Sequence, residues 1–165
     1  MYQDYKDLLS AFHAHGVKYL IVGGYAVIFH AQPRFTKDID FFIKADPANA
    51  HATYAALAEF GASLEGIRPE DFADPSCFFR FGHDPQGFDV LPDLPGVDFE
   101  AAWEHRVEGV LDVATGIKAF FISRDDLIAA KLAAGRPQDL ADADALRRAA
   151  ESVEKTPAEP TEPGQ

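Results

Sequence analysis

The sequence predicts an α+β fold, with a mixed β-sheet, helices packed on it and a helical segment at the C-terminus. Three observations lead there. Helix-period and strand-like stretches are mixed along the chain, two strand-like runs within 77–91 are joined by turn chemistry alone, and no internal repeat is visible. With 165 residues, 47% of them hydrophobic, the chain can bury one real core and is too short for two ordinary domains, so a single domain over residues 1–153 is expected.

Tyr5, Leu8, Leu9 and Phe12 recur with the i, i+3, i+4, i+7 rhythm of a helix buried on one face, and Gly16 stands where a helix end takes a left-handed residue. Residues 17–22 read as a short buried strand, broken by Gly23-Gly24, after which a second helix runs over 25–30 until Pro33 closes the segment. From Asp38 to Ile43 carboxylates alternate with apolar residues before an apolar run, which suits a strand with a polar start. Asp46 and Pro47 carry the N-cap and first-turn chemistry of a helix over 48–60, and Gly61 ends it.

Residues 77–81 and 88–91 then pair as a hairpin across the turn-forming His83-Asp84-Pro85-Gln86-Gly87. Their phenylalanines Phe78, Phe79, Phe81 and Phe88 read more simply as core than as a base-stacking platform, with exposure of one hairpin face left open by the sequence. A short helix over 98–105 and strands over 107–113 and 117–122 come next, turning at Thr115-Gly116. Ser123 and Asp126 stand at capping-box spacing ahead of Leu127, Ile128 and Leu132, and Pro137 opens a last helix carrying Leu140 and Leu146. Beyond about Glu154, prolines and glutamates remove apolar area, so residues 154–165 are expected to be a disordered tail.

Bulk properties narrow the function. The longest apolar stretches are interrupted by Gly23-Gly24 and fall short of the roughly 20 residues that cross a bilayer. The polar N-terminus lacks a secretory pattern, and the cytoplasm is the expected compartment. Cys77 stands alone, which excludes an intramolecular disulfide and a cysteine-based zinc site, and it reads as a core thiol. His13 and His15 fall on different helix faces, so the histidines offer no metal-ligand spacing. A net charge of -12 argues against an extended DNA- or RNA-gripping surface, while leaving room for a local basic pocket. Neither a P-loop nor a nucleophile-elbow motif is present.

The chemistry concentrates at Asp38 and Asp40. On one strand face their Cβ atoms would lie roughly 6.5–7 Å apart, within reach of one cation. Magnesium takes oxygen ligands and prefers a few carboxylates plus water and phosphate, and such an Asp-x-Asp pair offers them; the same spacing is also common on solvated surfaces. Upstream, Gly23-Gly24 at a helix start either lets a phosphate approach the backbone or simply makes a tight turn. Arg34 and Thr36 either bind a triphosphate or hold the loop before the acidic strand. Lys131 is either a phosphate contact or a solvated helix charge, and Arg136 with Asp139 can be a capping or surface pair worth no more than ~1 kcal/mol.

Val22-Gly23-Gly24-Tyr25-Ala26, followed by Asp38-Ile39-Asp40 and by Asp89 within Gly87-Phe88-Asp89-Val90-Leu91, resembles the signature of DNA polymerase β-like nucleotidyltransferases. The C-terminal stretch from Ser123 to Lys131, with Arg136, Asp139 and Asp142 after it, is similar to the helical segment of small bacterial abortive-infection and toxin–antitoxin nucleotidyltransferases. The resemblance spans about residues 15–148. It implies a nucleotidyltransferase fold in which Asp89, on a later strand, joins Asp38 and Asp40 as catalytic and metal-binding carboxylates. It further implies that Lys131 contacts nucleotide phosphates while Arg136, Asp139 and Asp142 order the pocket.

The expectation is thus a magnesium- or manganese-dependent transfer of a nucleoside monophosphate from a nucleoside triphosphate, ATP included, to an acceptor hydroxyl. RNA ends, proteins and small molecules all remain open as acceptors, and a cognate antitoxin-like protein is a possible partner. The alternative is a non-catalytic nucleotide- or partner-binding module on the same fold.

Overall fold

A computed structural model of the chain describes residues 3–154. The expected tail beyond residue 154 lies outside the described residues. Six strands form one sheet: β1 (Tyr19–Val22), β2 (Ile39–Ile43), β3 (Phe79–Phe81), β4 (Phe88–Leu91), β5 (Val107–Asp112) and β6 (Ile117–Phe121), in the spatial order β3-β4-β2-β1-β6-β5. β1 is antiparallel to β2 and parallel to β6, β2 is parallel to β4, and the hairpins β3–β4 and β5–β6 close the two ends. The sheet is therefore mixed, as the sequence predicts.

Six helices accompany it: α1 (Gln3–Ala14), α2 (Gly23–His30), α3 (Pro47–Phe60), α4 (Phe99–Glu104), α5 (Arg124–Ala134) and α6 (Pro137–Glu154). On α1, Tyr5, Leu8, Leu9 and Phe12 are all fully buried, and the Phe12 ring meets Tyr19 of β1 and Phe41 of β2. α3 starts where expected, because the Asp46 side chain accepts from the Asn49 N–H and Pro47 fits the first turn; it stops at Gly61 in the left-handed conformation. Ser123 caps α5 in the same way by accepting from the Asp126 N–H, with the Asp126 carboxylate taking the Ser123 hydroxyl proton in a hydrogen bond. α1 packs on α3, α5 on α6, and α2 touches both α5 and α6.

Several sequence expectations need correction. Cys77 is half-buried in the loop before β3 and is not a core thiol. Phe78 precedes β3 and is 57% exposed, so it does not share the core with Phe79, Phe81 and Phe88. A three-residue edge strand has only two inward positions, and Phe79 and Phe81 occupy them. Asp38 stands just ahead of β2, which begins at Ile39, because pairing with β4 starts only at Ile39 opposite Phe88. Leu132 and Leu140 are exposed, whereas Leu127 and Leu146 enter the core.

Candidate active site

Strand register assembles a row of residues across the sheet. Val22 lies opposite Asp40 in the β1–β2 pair, Asp40 opposite Asp89 in the parallel β2–β4 pair, and Asp89 opposite Arg80 in the β3–β4 hairpin. Parallel neighbours present matched side chains to the same face, so the Asp40 and Asp89 carboxyls are adjacent. Asp38 joins from the bend before β2. All three border a cavity of about 590 Å³ that is also walled by Gly23, Gly24, Leu91, Leu94, Leu127 and Lys131.

The glycines are fitted to these acids. Gly23 has a positive φ of 65°, and a Cβ there would overlap the Asp40 carboxylate. At Gly24 a Cβ would collide with the Thr36 side chain, and at Gly87 it would come within 2.8 Å of an Asp38 carboxylate oxygen. The Tyr5 hydroxyl donates to the Gly87 carbonyl at 2.7 Å, which ties α1 to the turn that leads into Asp89. Gly23 also opens α2, whose N-cap Val22 supplies no side-chain acceptor, so the first N–H groups of that helix border the cavity without a side-chain cap.

Electrostatics on the acidic side are strained by like charges. The Asp40 carboxyl is pushed up to about 7, first by burial and then by the hydrogen bond and repulsion of Asp89 and by the Asp38 charge; Lys131 opposes the shift. Asp38 is also raised, by burial first and then by Asp89 and Asp84. Asp89, 6% exposed, receives two hydrogen bonds from Arg80, Nε at 2.9 Å and Nη2 at 3.2 Å.

Across the cavity a second cluster is nearly self-compensated. Lys131 is buried and pairs with Asp139 at 3.4 Å and Asp142 at 3.0 Å, which rules out a solvated helix charge. Arg34 reaches Asp142 at 3.1 Å and Arg136 reaches Asp139 at 2.6 Å. Burial alone would raise Asp139, but the Arg136 hydrogen bond and the Lys131 and Arg136 charges together hold it below the usual carboxylate range. Both acids here are held by cations, and the Arg34 Nε is buried without a hydrogen-bond partner.

The family model described as "Nucleotidyltransferase of unknown function (DUF6036)" matches residues 3–148. The chain belongs to this family. A solved structure similar to it is the lincomycin-bound lincosamide antibiotic adenylyltransferase LnuA, at a TM-score of 0.56 and 18% identity over 89% of this chain and 96% of that one. At that identity the likeness establishes the nucleotidyltransferase fold. No curated protein matches the sequence.

Of the residues the sequence singles out, Asp38, Asp40, Asp89, Gly23, Gly24, Arg34, Thr36, Lys131, Arg136 and Asp139 border the same cavity in this nucleotidyltransferase, whereas Asp142 does not line it and instead pairs with Arg34 and Lys131. Sequence reasoning missed Arg80 and the apolar wall of Leu91, Leu94 and Leu127. Hairpin register could have found Arg80, since placing Phe81 opposite Phe88 sets Arg80 against Asp89. The cavity is bordered by five cations and four carboxylates, so a chain of net charge -12 keeps a locally balanced pocket.

Whether the site suits a divalent cation follows from its donors. Asp38, Asp40 and Asp89 offer only oxygen, and their mutual repulsion is what a hard cation relieves. Among the described residues no three side chains of ligand type are yet arranged round one point. Arg80 engages both oxygens of Asp89. The donor chemistry of the three carboxylates fits a divalent cation.

Proposed function

We propose that the chain transfers a nucleoside monophosphate from a nucleoside triphosphate to an acceptor hydroxyl, with Asp38, Asp40 and Asp89 as the carboxylates that hold divalent cations. The observation that carries this reading is the in-register row Val22–Asp40–Asp89–Arg80 next to the Gly23-Gly24 turn, in a member of a nucleotidyltransferase family. A bound magnesium or manganese ion would supply Lewis-acid stabilisation of charge on the α-phosphate and acidify the acceptor hydroxyl.

The chain's own groups divide the remaining work. Gly23 and Gly24 let the Asp40 carboxylate and the Thr36 side chain pack directly against the uncapped start of α2, where the helix dipole favours the negative charge of a phosphate. Lys131 and Arg34, steered by Asp142, stand on the same side and carry the positive charge that a triphosphate needs. The acceptor oxygen forms its bond to the α-phosphorus as the bond to pyrophosphate breaks, and Asp89, once released by Arg80, would accept the hydroxyl proton. Leu91, Leu94 and Leu127 exclude water from one wall.

The cavity volume suits one nucleotide-sized molecule, so the acceptor enters at the open rim near Phe78 and Arg80. With -12 net charge on the chain, a small hydroxyl-bearing molecule is favoured over long RNA. An antitoxin-like protein covering the rim would regulate such an enzyme.

The test is incubation with each α-labelled nucleoside triphosphate, magnesium, and cell extract divided into RNA, protein and small-molecule fractions, beside an Asp38→Asn/Asp40→Asn double variant. Label moved only by the unmodified chain supports the reading and identifies the acceptor class. Metal-dependent nucleotide binding without transfer, in every fraction, would replace it with a binding module.

A further inference from the structure

We propose that Arg80 is the displaceable counter-ion of Asp89: the guanidinium and a divalent cation exclude one another, so Asp89 becomes a cation ligand only when Arg80 swings away. The inference rests on the carboxylate–cation reading above and adds a residue and an ordered exchange to it.

The geometry of the pair is asymmetric. Arg80 donates from Nε to one Asp89 oxygen and from Nη2 to the other, so both carboxylate oxygens are engaged at once. The Asp89 side chain is only 8% exposed and fixed on a central strand, whereas the Arg80 side chain is 63% exposed on the edge strand β3. Leaving therefore costs the arginine little, since water is already around it. Leaving without a replacement costs the carboxylate much more, because Asp40 lies beside it and already shares a hydrogen bond with it.

Arg80 also has a place to go. Its guanidinium lies 5.6 Å from the ring of Phe78, which is itself largely exposed at the rim of the cavity. A cation over an aromatic face keeps part of its stabilisation after the carboxylate is lost. With Arg80 in place the three carboxylates do not surround one point; with Arg80 displaced, both oxygens of Asp89 are released beside Asp40, its partner in the β2–β4 register.

Lys37 provides the comparison. It borders the same cavity and carries the same charge, but it pairs with Asp84 at 3.1 Å and does not touch Asp89. A general field effect would act through either cation alike, and a competition would act through Arg80 alone.

The experiment is calorimetric titration of Mn2+ into the nucleotide-free full chain, using the unmodified protein and the variants Arg80→Gln, Arg80→Lys, Lys37→Gln and Asp89→Asn. Removing the competitor in Arg80→Gln should tighten Mn2+ binding about fivefold, in line with a partly exposed ion pair. Lys37→Gln should change it by less than about twofold, as a screened charge does. Arg80→Lys, which keeps the charge and loses the fork, should fall between the unmodified protein and Arg80→Gln. Asp89→Asn should weaken binding and erase the effect of Arg80→Gln in the double variant. Equal affinity in Arg80→Gln and the unmodified chain, or equal gains in Arg80→Gln and Lys37→Gln, would overturn the exchange while leaving the cation site standing. Absence of Mn2+ binding from all of them would remove the cation reading and the exchange together.

Discussion

The cavity separates two ion clusters built on opposite rules. On the strand side, Asp38, Asp40 and Asp89 crowd together with Arg80 as the cation bonded to one of them, and burial first, then the neighbouring acids, push Asp40 up to about 7. On the helix side, Asp139 and Asp142 are shared among Lys131, Arg34 and Arg136, every acid is matched, and Asp139 is held low. A compensated buried cluster holds α5, α6 and the loop before β2 in one geometry. An uncompensated one is a site waiting for positive charge. The same residue types thus form a balanced cluster in one place and a crowd of like charge in the other, and the difference lies in the local balance of charge.

Breaking the balanced cluster should have the largest effect. Asp142→Ala leaves Lys131 buried beside one fewer acid and releases Arg34, and urea unfolding should show a loss of about 3 kcal/mol, the scale for orphaning a buried ionic partner. A loss below about 1 kcal/mol would mean that the cluster is ordinary surface pairing. On the strand side, Gly23→Ala drives a methyl into the Asp40 carboxylate, and nucleotidyl transfer should fall about a hundredfold, as a displacement of order 1 Å does at a reacting centre. Transfer at the unmodified rate would show that Asp40 has room to move without consequence.

The pH dependence sharpens the contrast further. A carboxyl whose folded pKa is raised stabilises the fold while protonated and loses that contribution as pH climbs from its ordinary value near 4 toward about 7. In chelator-treated protein, Asp40→Asn should therefore raise the melting temperature at pH 8 more than at pH 5, relative to the unmodified chain. An equal effect at both pH values would remove Asp40 as the strained group. The smallest change is expected at Lys37→Gln, whose pairing with Asp84 is exposed on both sides, and stability should move by less than about 1 kcal/mol.

How much of this was legible in the sequence depends on the range of the interaction. Helix α3 was readable because its cap, first-turn proline and terminal glycine act within a few residues of one another. The hairpin was readable for the same reason, and its register sets Arg80 against Asp89. Cys77 and Phe78 were misplaced because their apolar type suggested a core, while the three-residue length of β3 excludes them. Lys131 was ambiguous because a lysine on a helix reads alike whether its partners are water or two carboxylates brought from a following helix.

By itself the sequence determined the α+β class, the element order and the glycine turn, since each depends on local period or turn chemistry, and the resemblance of its motifs pointed to the three carboxylates. Only the tertiary structure decided that Asp40 and Asp89 meet in register, that Arg80 engages Asp89, and that Lys131 is locked between Asp139 and Asp142. Those outcomes depend on which strand lies beside which and on how deeply each charge is buried, and residues far apart in the chain settle both together.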